Sequence, residues 1–227
     1  MGNNDWKRQF CQTLGFNHWR AGNYGEAMKY TEKLWASAVE DQAADYKRNA
    51  LFLKALFHLE KEQIDQALTM AEKLKEINEE LTNPKLIRDY YVLQGMIELK
   101  KKDYSKAIDH MERGYALYPE QNNWFPYHAF VAYDLGLAYV LSENFDKAEQ
   151  AFDNIINMTT GRLWWGDLYA KSFYMLGKIC EQQGDTAKAK EHYEKFLDLW
   201  KDADPGIQEV EDARKRMNGL KTRNELP

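Results

Sequence analysis

The run Ala132-Tyr133-Asp134-Leu135-Gly136-Leu137-Ala138-Tyr139-Val140-Leu141-Ser142-Glu143-Asn144-Phe145-Asp146-Lys147-Ala148-Glu149-Gln150-Ala151-Phe152 decides the fold. Ala148 serves as its marker. Twelve residues earlier stands Gly136, and three residues earlier stands Phe145. The same frame returns around Ala27, Ala67, Ala107 and Ala189, so the five markers are spaced by 40, 40, 41 and 41 residues. Gly15, Ala55, Gly95 and Gly177 repeat the small residue, and Tyr24, Ile64, Tyr104 and Thr186 take the place of Phe145. A fixed period with small residues at two matched positions marks a stacked helical repeat.

Each repeat reads as two antiparallel helices. Apolar residues fall 16, 13, 12 and 9 positions before the marker, as in Ala132, Leu135, Gly136 and Tyr139 or Phe173, Leu176, Gly177 and Cys180. That spacing keeps them on one helical face. The glycine or alanine of the first helix allows close approach of the second, and the marker alanine is expected to be its matching small contact. Between the helices, Asn23, Asp103, Asn144 and Asp185 stand four residues before their markers and are expected to cap the second helix. The aromatic that follows is expected to enter the interhelical core. The prolines Pro84, Pro119, Pro126 and Pro205 fall between repeats, as an all-α reading requires.

The pattern resembles the tetratricopeptide repeat family, whose frame is Leu-Gly and Tyr in the first helix, Ala and an aromatic in the second, and often a closing Pro. Leu14-Gly15, Leu135-Gly136 with Tyr139, and Leu176-Gly177 match the first helix. Ala27, Ala107, Ala148 with Phe152, and Ala189 with Tyr193 match the second, and Pro119 the closing proline. The resemblance covers roughly residues 8 to 201 and is weakest in the second repeat, where Lys54-Ala55 replaces Leu-Gly. It implies an all-α, right-handed α-solenoid of about five helix-turn-helix units, 8–47, 48–87, 88–128, 129–169 and 170–204. A capping helix over 206–218 follows, within one domain spanning 1–221, and 222–227 form a frayed tail. The family period is about 34 residues, so longer helices or longer joints must absorb the difference; Ile64 through Leu81 points to longer helices. The stretch Phe196 to Pro205 resembles the end of such arrays in large bacterial signalling proteins. The amphipathic stripe Ile207, Val210, Ala213, Met217 then predicts a cap ending at Gly219.

Composition narrows the function. The net charge is −5, from 31 basic and 36 acidic residues, and the longest basic run is Lys100-Lys101-Lys102. Nucleic-acid binding draws on clustered cations, so no such partner is expected. Two cysteines, Cys11 and Cys180, make no disulfide framework. No apolar run reaches a membrane span of about 18 residues, and the first residues lack a leader pattern; a cytoplasmic location is expected. No phosphate loop, Cys-x-x-Cys pair or hydrolase motif is present, so neither an enzyme nor a cofactor is expected. His18, His58 and Glu98 stand at equivalent positions. Equivalent residues of stacked helices lie about 8–10 Å apart, whereas zinc needs ligands at about 2.0–2.2 Å, so a shared metal is not expected.

In this family the first helices line the concave surface. Positions 18, 15, 11 and 8 before each marker form a second stripe there. Its candidates for partner binding are Phe16, Trp19, Phe52, Leu56, Met96, Phe130, Tyr133, Leu137, Tyr174 and Lys178. Trp19, Phe52, Tyr133 and Tyr174 are the ones expected to stay partly open. The stripe is apolar in the first four repeats and charged in the fifth, which suits an amphipathic helix or extended apolar peptide. It does not suit an acidic chain terminus. The competing reading makes much of the stripe core, because neighbouring first helices pack on one another. Two aromatic segments between repeats, Asn122–Tyr127 and Gly161–Gly166, are either hot spots or plugs between layers. A non-enzymatic interaction scaffold is the leading function; a regulatory or self-associating segment of a larger bacterial signalling protein is the alternative.

Overall fold

The computed structural model describes residues 4–118, 127–158 and 165–223, with only the backbone for Tyr127 and 221–223. Trp124 and Trp164, central to the two aromatic segments, lie outside the described residues, as do Pro119, Pro126 and 224–227 of the tail.

The described residues contain eleven α-helices and no strand. They belong to two compact halves, Met1–Tyr118 and Pro119–Pro227. The first half holds three helical hairpins. These are α1 (Asp5–Arg20) with α2 (Tyr24–Glu40), α3 (Ala44–Glu60) with α4 (Ile64–Glu80), and α5 (Arg88–Lys100) with α6 (Tyr104–Tyr115). The second half holds α7 (Tyr127–Leu141) with α8 (Phe145–Asn157), α9 (Gly166–Gln183) with α10 (Thr186–Leu199), and the closing helix α11 (Gln208–Arg223). Within each half, every second helix also packs on the next first helix: α2 on α3, α4 on α5, α8 on α9, and α10 on α11. The last helix runs past Gly219 because Leu220 continues the buried stripe of Val210, Ala213 and Met217.

The extra length over a common repeat is absorbed in two ways. In the first two repeats the helices are long, 16 to 17 residues each. In the third they shorten to 13 and 12, and a 3-10 turn at Pro84–Ile87 fills the joint before them.

The small residue twelve before the marker has a different partner from the one its pattern suggests. A Cβ on Gly136 would stand 2.7 Å from the Phe152 ring, and one on Gly177 would stand 2.6 Å from the Tyr193 ring. On Gly95 it would meet Met111. The contact is therefore with the side chain four residues after the marker; the marker alanine instead offers its backbone carbonyl, as Ala107 does 3.0 Å from the same point on Gly95. Size is exchanged across this contact. Glycine faces Met, Phe or Tyr in three repeats and Thr31 in the first, while Ala55 occurs in the repeat whose opposite position is the small Ala71. This accounts for the departure from Leu-Gly in the second repeat. All five marker alanines are buried.

The hairpin turns repeat a backbone device. The N–H groups of Asn23, Gln63, Asp103, Asn144 and Asp185 donate to the carbonyls of His18, His58, Glu98, Tyr139 and Cys180, at 2.8–3.0 Å. This Schellman closure puts the preceding residue in the left-handed region. Gly22 and Gly184 occupy it at φ 73° and 83°, but so do Glu62, Lys102 and Glu143 at φ 57°, 64° and 59°. For a residue with a Cβ that conformation costs roughly 1–2 kcal/mol, against roughly 0.5–1 kcal/mol for the greater entropy that glycine loses. Lys102→Gly is therefore expected to raise stability by up to about 1 kcal/mol, and Gly184→Ala to lower it by about 1 kcal/mol. Urea denaturation of the two variants checks both signs. Asp103, Asn144 and Asp185 cap the second helices, accepting from Lys106, Lys147 and Lys188 N–H at 3.1–3.4 Å. Asn23 makes no such cap, a correction to the expectation, and Tyr24, Tyr104 and Phe145 are only half-buried.

Candidate functional site

The stripe on the first helices resolves into packed and open rungs. At position 15 before the marker, Phe52, Val92 and Tyr174 are buried. At position 11, Phe16, Met96, Leu137 and Lys178 are all half-buried, and only Leu56 is closed, at 0% exposure. At position 8, Trp19 is half-buried while Leu59 is closed. Phe130, at position 18, is also closed and stacks on Trp165 at 5.8 Å. Of the four residues expected to stay open, Trp19 and Tyr133 are half-buried, whereas Phe52 and Tyr174 are not open: both are 8% exposed. Tyr174 is covered by the Tyr193 and Phe196 rings of α10, at 6.2 and 5.4 Å, and its hydroxyl donates to Asp212 of α11.

In the first half, Phe16 and Trp19 lie ring to ring at 5.5 Å on α1, and Phe16 also packs on the cluster of Leu34, Ala50 and Leu53. Met96 and Leu99 are the half-buried apolar residues of the stripe on α5. In the second half, Tyr133 meets the Phe152 ring edge-on at 5.5 Å. Burial, aided by the Asp134 carboxylate, pushes its hydroxyl above the ordinary tyrosine range, so it stays neutral. Leu137 lies one turn further along α7. The Lys178 ammonium lies 5.3 Å above the Tyr174 ring.

The charges of the fifth repeat have a structural use that the stripe did not reveal. Lys171 pairs with Glu209 at 2.8 Å. Arg216 bridges Asp212 and Glu181 at 2.6 and 2.9 Å. The Tyr174 hydroxyl donates to Asp212 at 2.7 Å and the Tyr193 hydroxyl to Glu181 at 2.9 Å. These contacts fasten α11 to α9, so most of the polar stripe there is occupied by the chain itself.

Two buried arginines lie outside both stripes of the repeat frame. Arg8 and Arg48 stand nineteen residues before their markers, each three residues after an aspartate. Arg8 reaches Asp5 at 2.7 Å and Asp41 at 2.5 Å. Arg48 reaches Asp45 at 3.3 Å and Asp89 at 2.5 Å, and its Nε donates to Asn78. Asp89 also accepts from the Tyr118 hydroxyl at 3.1 Å. Burial pushes the Asp89 carboxyl up, against the pull of Arg48, Arg88 and that hydroxyl. Arg48 thereby ties its repeat to the start of the next, whereas Arg8 ties α1 to the residue that ends α2. The repeated Asp-x-x-Arg in frame with the markers is the signal that the sequence offers for this pair.

The equivalent residues His18, His58 and Glu98 take separate neighbours. His18 stacks on Tyr30 at 5.6 Å, His58 Nδ1 lies 2.8 Å from Gln63, and Glu98 pairs with Lys101 at 2.9 Å. Burial pushes the Cys180 thiol up. Among the described residues, no helix is long and apolar enough to cross a membrane.

A family model described as tetratricopeptide repeat matches residues 89–121 and 170–199. No curated protein matches the chain in sequence. Solved structures do. The chain is similar to BtubC (BKLC) from P. vanneervenii at a TM-score of 0.63 and 15% identity, covering 86% of this chain and 88% of that one. It is similar to TTC0263, a thermophilic TPR protein in Thermus thermophilus, at 0.57 and 18%, over 94% and 98% of the two chains. A third likeness is to the APC/C hetero-tetramer Cut9-Hcn1, at 0.57 and 19%, over 92% of this chain and 42% of that one. At these identities the likeness establishes the fold.

Proposed function

We propose, from the premise that the chain is a tetratricopeptide-repeat protein, that it is a non-enzymatic, cytoplasmic adaptor binding an apolar or amphipathic segment of a protein partner. The observation that supports this reading is the open rung eleven residues before the marker. Phe16 and Met96 in the first half, and Leu137 and Lys178 in the second, keep accessible side chains on the face that such proteins turn to their partners. Apolar side chains at repeat spacing suit a ligand read through spaced anchors. Trp19 beside Phe16, and Tyr133 beside Leu137, add aromatic area of the kind that dominates binding energy. Phe52, Leu56, Phe130 and Tyr174 support the rungs from behind, and a charge placed on any of them would test folding rather than binding.

A displayed library of helical and extended peptides, selected against the intact chain, tests the proposal. Selected peptides are expected to carry two or more apolar anchors. Their affinity is expected to fall about tenfold or more on Met96→Glu or Leu137→Glu, with helix content unchanged by circular dichroism. Peptides that bind these variants as tightly as the original chain would overturn it.

A further inference from the structure

The helix α11 packs on α10 and α9 in the way that each first helix packs on the repeat before it. Its Asp212 meets Tyr174 across 38 residues, much as Asn49 of α3 meets Gln12 of α1 across 37. It differs from the other first helices in how it is held. Each of α1, α3, α5, α7 and α9 is clasped by the second helix of its own hairpin. Among the described residues α11 has no hairpin partner, and its Glu211, Arg214 and Lys215 are exposed. One stripe, Val210, Ala213, Met217 and Leu220, is buried. The contact with α9 is polar along its length: Glu209 with Lys171 at 2.8 Å, Asp212 with the Tyr174 hydroxyl at 2.7 Å, and Arg216 with Glu181 at 2.9 Å. Both ion pairs are part-exposed, so salt screens them. The second half of α11 is also loosely seated. A cavity of about 280 Å³ separates Glu181 of α9 from Asp212, Lys215, Arg216, Gly219 and Leu220. A Cβ on Gly219 would meet nothing within 4 Å, and a glycine inside a helix weakens it.

We propose that α11 is a displaceable strap, and that the face of α9 and α10 beneath it receives a helix of a partner protein in its place. The seated strap defines the chemistry of that occupant. It carries carboxylates at the places of Glu209 and Asp212, to meet Lys171 and the Tyr174 hydroxyl. It carries a guanidinium at the place of Arg216, to meet Glu181, and apolar residues at the places of Val210, Ala213, Met217 and Leu220. A side chain at the place of Gly219 fills the cavity and gives the incoming helix its advantage over the strap. The eight-residue joint 200–207 lets α11 leave while still attached, as a segment that opens locally before the rest of the fold. While seated, α11 covers Lys171, Tyr174 and Glu181, three of the four stripe positions of the fifth repeat. The proposal stands whether or not the apolar rungs of the other repeats bind a partner.

The probe is a synthetic peptide of α11, Gln208–Arg223, labelled for fluorescence anisotropy and titrated with the full chain. Glu209→Lys in the chain weakens the strap and leaves the receiving face of α9 and α10 unaltered. The peptide is expected to bind this variant about tenfold or more tightly than it binds the original chain. On the same variant, a peptide carrying Gly219→Leu is expected to bind more tightly than one carrying Gly219→Ala, which shares the gain in helix propensity but leaves the cavity open. Absence of saturable binding to Glu209→Lys, equal binding to both chains, or equal affinity of the two peptides overturns the proposal. So does self-association of the original chain that the free peptide reverses, because the occupant is then a second copy. Hydrogen exchange tests the strap without any variant. Amides of α11 are expected to lose protection between about 0.05 M and about 1 M salt, while those of α9 and α10 keep theirs. Exchange of α11 only together with α10, at both salt concentrations, overturns it as well.

Discussion

Replacing Arg48 with alanine is expected to destabilise the first half by about 3–5 kcal/mol, the usual consequence of leaving one partner of a buried ion pair behind. The arginine side chain is 4% exposed and the Asp89 side chain 19% exposed. Their separation is 2.5 Å, and Asn78 and Leu86 carbonyl oxygens accept from the same guanidinium. Removing it strands a carboxylate that burial already pushes up. The pH dependence follows with a definite sign. A carboxyl whose folded pKa lies above its unfolded value of about 3.9 makes the fold lose stability as pH rises through that interval. The Arg48→Ala defect is therefore expected to be largest at neutral pH and to shrink near pH 4. Asp89→Asn added to Arg48→Ala is expected to recover part of the loss at neutral pH. Urea denaturation of the single and double variants at the two pH values measures both effects; a pH-independent defect without rescue would show that Arg48 acts through packing alone.

The contact between Gly136 and Phe152 supports a prediction in which one substitution changes sign with its background. Phe152 is fully buried, so Phe152→Ala is expected to cost about 3–5 kcal/mol. Gly136→Ala gains about 1 kcal/mol of helix propensity. Its new Cβ, however, would stand 2.7 Å from the Phe152 ring, and overpacking of that kind costs about 1–3 kcal/mol. In the original chain the substitution is expected to destabilise on balance. In the Phe152→Ala background the clash is gone and the added methyl fills part of the cavity, so the same change stabilises. A double-mutant cycle is expected to give a coupling of about 1–3 kcal/mol. Additivity within about 0.5 kcal/mol would break the proposed exchange of size across the helix pair.

The hairpins and their periods are legible in the sequence because they are local. Both are written in residue spacing along one chain segment, and the marker frame locates every pair of helices among the described residues. What the frame does not yield depends on contacts between successive repeats. Phe52 and Tyr174 occupy the same stripe as Met96, yet the first two are closed and the third is half-open. Lys171 and Glu181 read as a charged groove because their counterions, Glu209 and Arg216, arrive from a helix outside the repeat. Arg8 and Arg48 look like surface residues in the sequence, because a buried arginine is distinguishable from a solvated one only when its distant acids are placed.

The turn inside a hairpin keeps one closure, which the joint between α2 and α3 shares, with Gln42 at φ 52° and the Ala43 N–H donating to the Ala38 carbonyl at 2.8 Å. The hairpin turns return that closure five times, with its left-handed residue at one fixed position. The joints span three residues between α2 and α3, seven between α4 and α5, and eight between α10 and α11. The described joints thus vary from three to eight residues, while the hairpin turns keep to two or three. New segments such as tags, sensors or cleavage sites belong at 81–83 or 201–206, where the spacer has already proved elastic, and not at 101–103, where one inserted residue would break a bond that defines the hairpin.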